Sequence, residues 1–342
     1  MKKLVHFSLL IVTVVAMIAI GTREAKPSPE AAKLPELISI GVAAEGSTTY
    51  MIGVTFADVL KRNTPIRKVI ALPTGGTPRW LALMKDKRVE FGIDGAGGVG
   101  TRDAYYGIGP IYESKGPHPV NWLISGHTAV QGCCSIDPSI KTIYDLKGKR
   151  LYFSITGHTQ MGRHIPAVIE AAGISGQVKM LTFPNIAEAA RGLAEGKADA
   201  VFYVPFVAPL LELHRTKGLS AVAVPMEVLK KAKDKEPTIT YGIWKKGEGF
   251  ATQDTPSLTL SSSLVVREDL DVEAAYTVVK TILENYDEYK DTSIRAKQWT
   301  LENATSVHII PYHPGAIKYY REKGVWTDAM ERRNQELIAA RR

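Results

Sequence analysis

Five short segments of this sequence place hydroxyl groups, glycines or an aromatic where a chain could grip a small molecule. They are Ala44-Glu45-Gly46-Ser47-Thr48-Thr49, Thr74-Gly75-Gly76-Thr77, Asp94-Gly95-Ala96-Gly97-Gly98, Thr156-Gly157-His158-Thr159-Gln160 and Tyr203-Val204-Pro205. Several of them lead straight into a helical pattern. A helix start offers free N–H groups and the positive end of the helix dipole, which suit a carboxylate or phosphate. Amides after Gly46, Gly76 and Gly157 would hold such an anion, with hydroxyl donors from Ser47, Thr48, Thr77 and Thr159. Tyr50 and Tyr203 would form a wall, His158 a pocket contact without catalysis, and Arg79 a two-pronged partner for a carboxylate. Asp94 suits an amine instead, which keeps an amino acid open as ligand. Each segment alone reads as an ordinary turn between strand and helix; the matched set points to a site.

Catalytic and cofactor chemistry is not expected. There is no His-Glu-x-x-His run, and His308 and His313 are too far apart in sequence to share one helical face, as are His158 and His164. No Gly-x-Ser-x-Gly nucleophile turn occurs. Gly95-Ala96-Gly97-Gly98-Val99-Gly100 fits the dinucleotide pattern, but it follows a third strand rather than a first. Where an acidic residue should follow, Lys115-Gly116-Pro117-His118-Pro119 stands. Cys133 and Cys134 belong to no metal or redox motif; two buried strand thiols on opposite faces are expected ahead of a vicinal disulfide. The expectation is a binding protein with no metal, no cofactor and no enzymatic activity.

The elements that must position these residues form a repeated unit. Strand, helix, strand, helix, strand falls on Ile38–Ala44, Thr48–Arg62, Lys68–Leu72, Pro78–Lys87 and Val89–Asp94. The same order recurs at Arg150–Ile155, within Gln160–Ala172, then at Val178–Phe183, Ile186–Glu195 and Ala198–Val204. Such alternation argues for parallel sheets with helical crossovers, hence an α/β fold. Ile52, Phe56, Val59 and Leu60 share one helical face. Ser47 or Thr48 can cap that helix, Thr77 can cap the next with Pro78 at its first position, and Asn185 with Glu188 resembles a capping box. Pro166 must either kink its helix or delay its regular part. Further on, Ser220–Val224 and Ser257–Val266 read as strands, Ala275 to Tyr286 as a helix, and the tail from Thr327 as a surface helix. In open α/β sheets ligands sit beyond the carboxyl ends of the strands, where the five segments fall. Two such units suggest two lobes with a cleft between.

At 342 residues and 45% hydrophobic, the chain has the bulk of about two domains and the composition of a globular protein. Its formal charge of +8 is scattered and contains no nucleic-acid arm, so no nucleic-acid partner is expected. Lys2 and Lys3, the apolar run Leu9 to Ile20 and the small residues Ala19 and Gly21 read as a secretory signal peptide over residues 1–21, with an uncleaved anchor as the alternative. Residues 22–36, with Pro27, Pro29 and Pro35, read as a linker.

The ordered segments resemble the TAXI family of TRAP-transporter solute receptors. The resemblance rests on Gly46-Ser47-Thr48-Thr49-Tyr50-Met51-Ile52-Gly53, Thr74-Gly75-Gly76-Thr77, Tyr144-Asp145-Leu146-Lys147-Gly148-Lys149-Arg150, Thr156-Gly157-His158-Thr159, Gly196-Lys197-Ala198-Asp199-Ala200 and His313-Pro314-Gly315-Ala316-Ile317-Lys318-Tyr319-Tyr320. It implies a two-lobed periplasmic binding protein of type II-like architecture, each lobe a mostly parallel sheet flanked by helices. Lobe I would comprise residues 37–132 and 258–342, the latter with the C-terminal helices, and lobe II residues 133–257. Such a protein captures a small organic acid or amino acid in the periplasm and delivers it to a TRAP membrane permease; an ABC permease or sensor kinase is the alternative partner. The family's pocket loops map to Ser47, Thr48 and Tyr50, to Gly76 and Thr77, and to Gly157, His158 and Thr159. The family usually has Gly-Ser-Gly-Thr at the last of these, so His158 changes both volume and charge there.

Overall fold

A computed structural model describes residues 34–155 and 159–341. The signal-peptide and most of the linker expectation fall outside that range, as do Gly157 and His158. The first lobe opens with β1 (Leu37–Val42), α1 (Thr48–Asn63), β2 (Lys68–Pro73), α2 (Thr77–Lys85), β3 (Phe91–Asp94), α3 (Val99–Tyr106) and α4 (Gly109–Tyr112). The long strand β4 (Val120–Ser135) carries the chain into the second lobe. There follow β5 (Arg150–Ile155), α5 (Thr159–Ala171), β6 (Lys179–Phe183), α6 (Ile186–Ala194), β7 (Ala200–Tyr203), α7 (Ala208–Lys217), β8 (Ser220–Val222), α8 (Met226–Lys235) and β9 (Thr240–Trp244). Strand β10 (Thr255–Arg267) returns the chain to α9 (Val272–Glu284), α10 (Pro314–Glu322) and α11 (Asp328–Ala339).

In each lobe three strands run parallel: β2-β1-β3 in the first and β7-β5-β6 in the second. Strand β1 reads Leu-Ile-Ser-Ile-Gly-Val and is buried everywhere except Leu37, as a strand covered by helices on both faces must be. The expected mostly parallel sheet is therefore present in each lobe, and the two are joined. Strands β4 and β10 pair antiparallel, β10 also pairs with β3, and β4 also pairs with β7, so one ten-stranded sheet links both lobes, with β8 and β9 branching from β4 and β10. Three apolar clusters fill this frame. One gathers residues from Ile38 to Ile124 and from Leu264 to Tyr320; the other two gather residues from Cys133 to Leu258. Cys133 faces one of the latter and Cys134 the other, and both are free, buried thiols. Adjacent strand residues point to opposite faces, which keeps the two sulfurs in different packing layers.

The local expectations hold with small shifts. Ser47 caps α1, its Oγ accepting from the Tyr50 amide, and Asn185 caps α6 by accepting from Glu188 N. The α2 cap is a correction: Gly76, not Thr77, is the N-cap. Its φ of 136° and ψ of 178° lie in a region that only glycine enters without strain, and Thr77 is already helical. Pro166 does not delay the start of α5, since the helix begins at Thr159 and runs through it. The proline ring would crowd the carbonyl four residues back, which here belongs to Gly162. The helix over Ala275 to Tyr286 ends at Glu284, and Tyr286 starts a short 3₁₀ turn.

Candidate functional site

A cavity of about 640 Å³ is walled by residues of both lobes. The first lobe contributes the start of α1 (Ser47, Thr48, Thr49), the start of α2 (Gly76, Thr77, Pro78), and Gly95 and Ala96 after β3. The second lobe contributes Thr159 and Gln160 at the start of α5, and Tyr203 and Val204 at the end of β7. Of the residues expected from sequence, Ser47, Thr48, Gly76, Thr77, Thr159 and Tyr203 therefore come together. None of the three helices carries an acidic residue in its first turn, so their own first turns do not offset the positive dipole ends.

Three expected residues are not on the cavity wall. Tyr50 is half-buried and packs on the apolar core of the first lobe. Arg79, in the first turn of α2, is exposed to solvent. Asp94 is fully buried behind the wall: its carboxylate accepts from Ala96 N at 2.7 Å and from Thr101 Oγ1 at 2.5 Å. Burial raises its pKa, against the pull of those donors. Asp94 braces the loop after β3 and does not meet an amine. The glycines of that loop are also structural: a Cβ on Gly95 would lie 2.7 Å from Thr49 Cγ2, and one on Gly98 2.5 Å from Ile309 Cδ1. Close packing accounts for these two positions of the dinucleotide-like pattern.

The cavity also holds polar residues that sequence reasoning passed over. Gln160, at the start of α5, exchanges hydrogen bonds with Gln131 of β4 at 3.0 and 3.3 Å. Its Nε2 also lies 2.7 Å from His164 Nδ1, and His164 Nε2 lies 2.8 Å from Thr238 Oγ1, which donates to Glu236 Oε1 at 2.5 Å. An amide N–H₂ only donates, so His164 accepts at Nδ1 and carries its proton on Nε2. The chain of bonds ends at Arg163, whose Nε donates to Glu236 at 2.9 Å and whose Nη1 donates to both oxygens of Asp103 at 2.8 and 2.7 Å. Asp103 lines the cavity from α3 in the first lobe; Arg163 belongs to α5 in the second. Burial raises the Asp103 pKa, while the Arg163 guanidinium opposes it.

Elsewhere on the cavity wall stand His127 of β4 and Arg295, the latter from the segment between α9 and α10. Trp299 Nε1 donates to His127 Nδ1 at 3.2 Å. Burial, with Arg295 nearby, pushes the His127 pKa down to about 3, so the ring is neutral. Arg295 Nη1 donates to the Thr128 carbonyl at 3.2 Å. Among the described residues it forms no ion pair. Tyr112 adds a buried hydroxyl without a hydrogen-bond partner among the described residues. No local motif marks these residues, because each meets the cavity only through tertiary contacts. Among the described residues, no group of three or more His, Cys, Asp and Glu is placed to hold a metal ion.

The fold is thus a two-lobed α/β frame with a cavity walled by both lobes. A model of the NMT1-like family matches residues 40–324, and the chain belongs to that family. Solved structures with a similar fold include the alkanesulfonate-binding protein of Xanthomonas axonopodis pv. citri bound to MOPS. It shares 15% identity over 91% of this chain and 86% of that one, with a TM-score of 0.43. A Xanthomonas citri protein bound to ATP shares 12% identity over 90% of this chain and 97% of that one, with a TM-score of 0.49. The probable amino-acid ABC transporter extracellular-binding protein of Bacillus subtilis shares 13% over 77% of this chain and 98% of that one, with a TM-score of 0.47.

Proposed function

We propose that this protein is an extracytoplasmic solute receptor that captures a small anionic or zwitterionic metabolite between its lobes and hands it to a membrane permease. One observation carries the reading: helices α1 and α2 of the first lobe and α5 of the second all start on one cavity, with no acidic residue in any first turn. A ligand held by such starts bridges both lobes, and it favours a closed form only insofar as it binds that form better. A few charge-assisted bonds of about 1.5–3 kcal/mol each are enough for micromolar affinity, which needs about 8 kcal/mol. Gly157 and His158 are proposed to join Thr159 at the lobe-two end of the grip.

The permease is proposed to be of the ABC type before the TRAP type. The segments quoted above resemble TAXI receptors of TRAP systems, but the family that matches the chain is the NMT1-like one. Solute uptake that survives collapse of the ion gradient but not depletion of ATP supports the ABC partner; the converse supports TRAP. The receptor reading is tested by melting the protein with organic acids and amino acids. A ligand at 100 times its Kd adds about 2.7 kcal/mol of stability. A screen in which no solute raises the melting temperature overturns the reading.

A further inference from the structure

We propose that Arg295 and His127 form the anchor for the acid group of the ligand, and that the ligand is an amphiphilic carboxylate or sulfonate whose apolar body lies along the remaining wall. This inference rests on the receptor reading above. Trp299 Nε1 can only donate, so His127 Nδ1 must accept and the ring proton sits on Nε2. That leaves one neutral N–H donor on a residue of the cavity wall, with no acceptor for it among the described residues. Arg295 has five N–H donors, of which one is spent on Thr128 O. Its guanidinium stays charged at any physiological pH and makes no ion pair among the described residues, with Glu248 attracting it from beyond contact distance.

Two donor groups without an acceptor between them match a group that only accepts, which is an ionised acid. An amine fails here twice: Arg295 repels it, and the single acceptor of the His127 ring is already taken by Trp299. The same cavity wall also carries apolar side chains: Ala129, paired across the sheet with Leu260, together with Ile111, Tyr112, Val204 and Val207. A volume of about 640 Å³ exceeds what acetate or phosphate needs and falls within the range of organic ligands.

The test titrates the full chain with benzoate, benzenesulfonate, benzamide and benzylamine by calorimetry. The expected result is binding of the two anions, with benzamide and benzylamine at least 30-fold weaker. Arg295→Met should cost the anions at least 30-fold and His127→Phe about 5-fold, with Arg295→Lys recovering part of the loss. The melting temperature of ligand-free Arg295→Met should stay within a degree or two of the parent. Benzamide binding as well as benzoate, or Arg295→Met leaving anion affinity unchanged, overturns the anchor. So does a solute of another class that raises the melting temperature equally in the parent and in Arg295→Met; the receptor reading then stands. If none of the four probes and no screened solute binds, the receptor reading fails as well.

Discussion

Two half-buried arginines belong to the cavity region, and they are solvated in opposite ways. Arg163 is enclosed by carboxylates: Asp103 takes one edge of its guanidinium and Glu236 the other. Arg295 has a single neutral carbonyl and no ion pair among the described residues. Residue type does not separate them; what separates them is whether the chain itself neutralises the charge. The Arg163 charge is satisfied within the fold and spans the two lobes through α3 and α5. The Arg295 charge is left for something from outside.

That contrast can be broken at either end. The largest effect is expected from Arg163→Met, which leaves Asp103, only 4% exposed, with Arg102 at 3.8 Å as its remaining counter-charge. Removing one partner of a buried pair costs about 3–5 kcal/mol; since Arg163 is 31% exposed, about 2–3 kcal/mol is expected in denaturant unfolding. Asp103→Asn added to Arg163→Met should recover part of that loss, and full additivity of the two changes would refute the pairing.

The next effect is acid sensitivity near Arg295. The folded-state His127 pKa of about 3 lies below the ordinary unfolded value of about 6.5. The unfolded chain therefore binds more protons between those limits, and stability falls as pH drops through that window. One pH unit below about 6.5, this residue should cost about 1.4 kcal/mol relative to neutral pH. The His127→Gln variant should unfold with a shallower acid slope; an identical slope would show that the ring is already charged in the fold.

Smaller effects test the wall between the two arginines. Thr159→Ala should weaken ligand about 5-fold, the worth of one hydrogen bond of about 1 kcal/mol, and leave the melting temperature unchanged. Unaltered affinity would remove Thr159 from the site. Tyr112→Phe deletes a buried hydroxyl that has no partner among the described residues, so ligand-free stability should change by less than about 0.5 kcal/mol. A drop well beyond that would mean the hydroxyl is bonded within the ligand-free fold.

Much of the fold was legible in the sequence because its signals are local. The apolar face of Ile52, Phe56, Val59 and Leu60 marked α1, and the Ser47 and Asn185 caps marked where α1 and α6 begin. Strand β4 was legible only near its end, where Cys133 and Cys134 read as strand thiols. Only Thr128 in it is exposed, so it shows none of the alternation that announces a strand with one wet face. Half of the candidate wall was legible for a similar reason: Ser47, Thr77 and Thr159 stand at strand-to-helix turns, which α/β topology gathers at one end of a sheet.

By itself, then, the sequence determined the repeated strand–helix units, their caps and the glycine- and hydroxyl-rich turns, because all of these depend on neighbours within a few residues. Tertiary structure alone decided that β4 and β10 fuse the two lobes into one sheet, that Asp94 turns inward, and which arginine keeps its charge unpaired. The contacts behind those outcomes join residues such as His127 to Trp299 and Asp103 to Arg163, far apart along the chain. Burial and pairing energies are settled only when such groups meet.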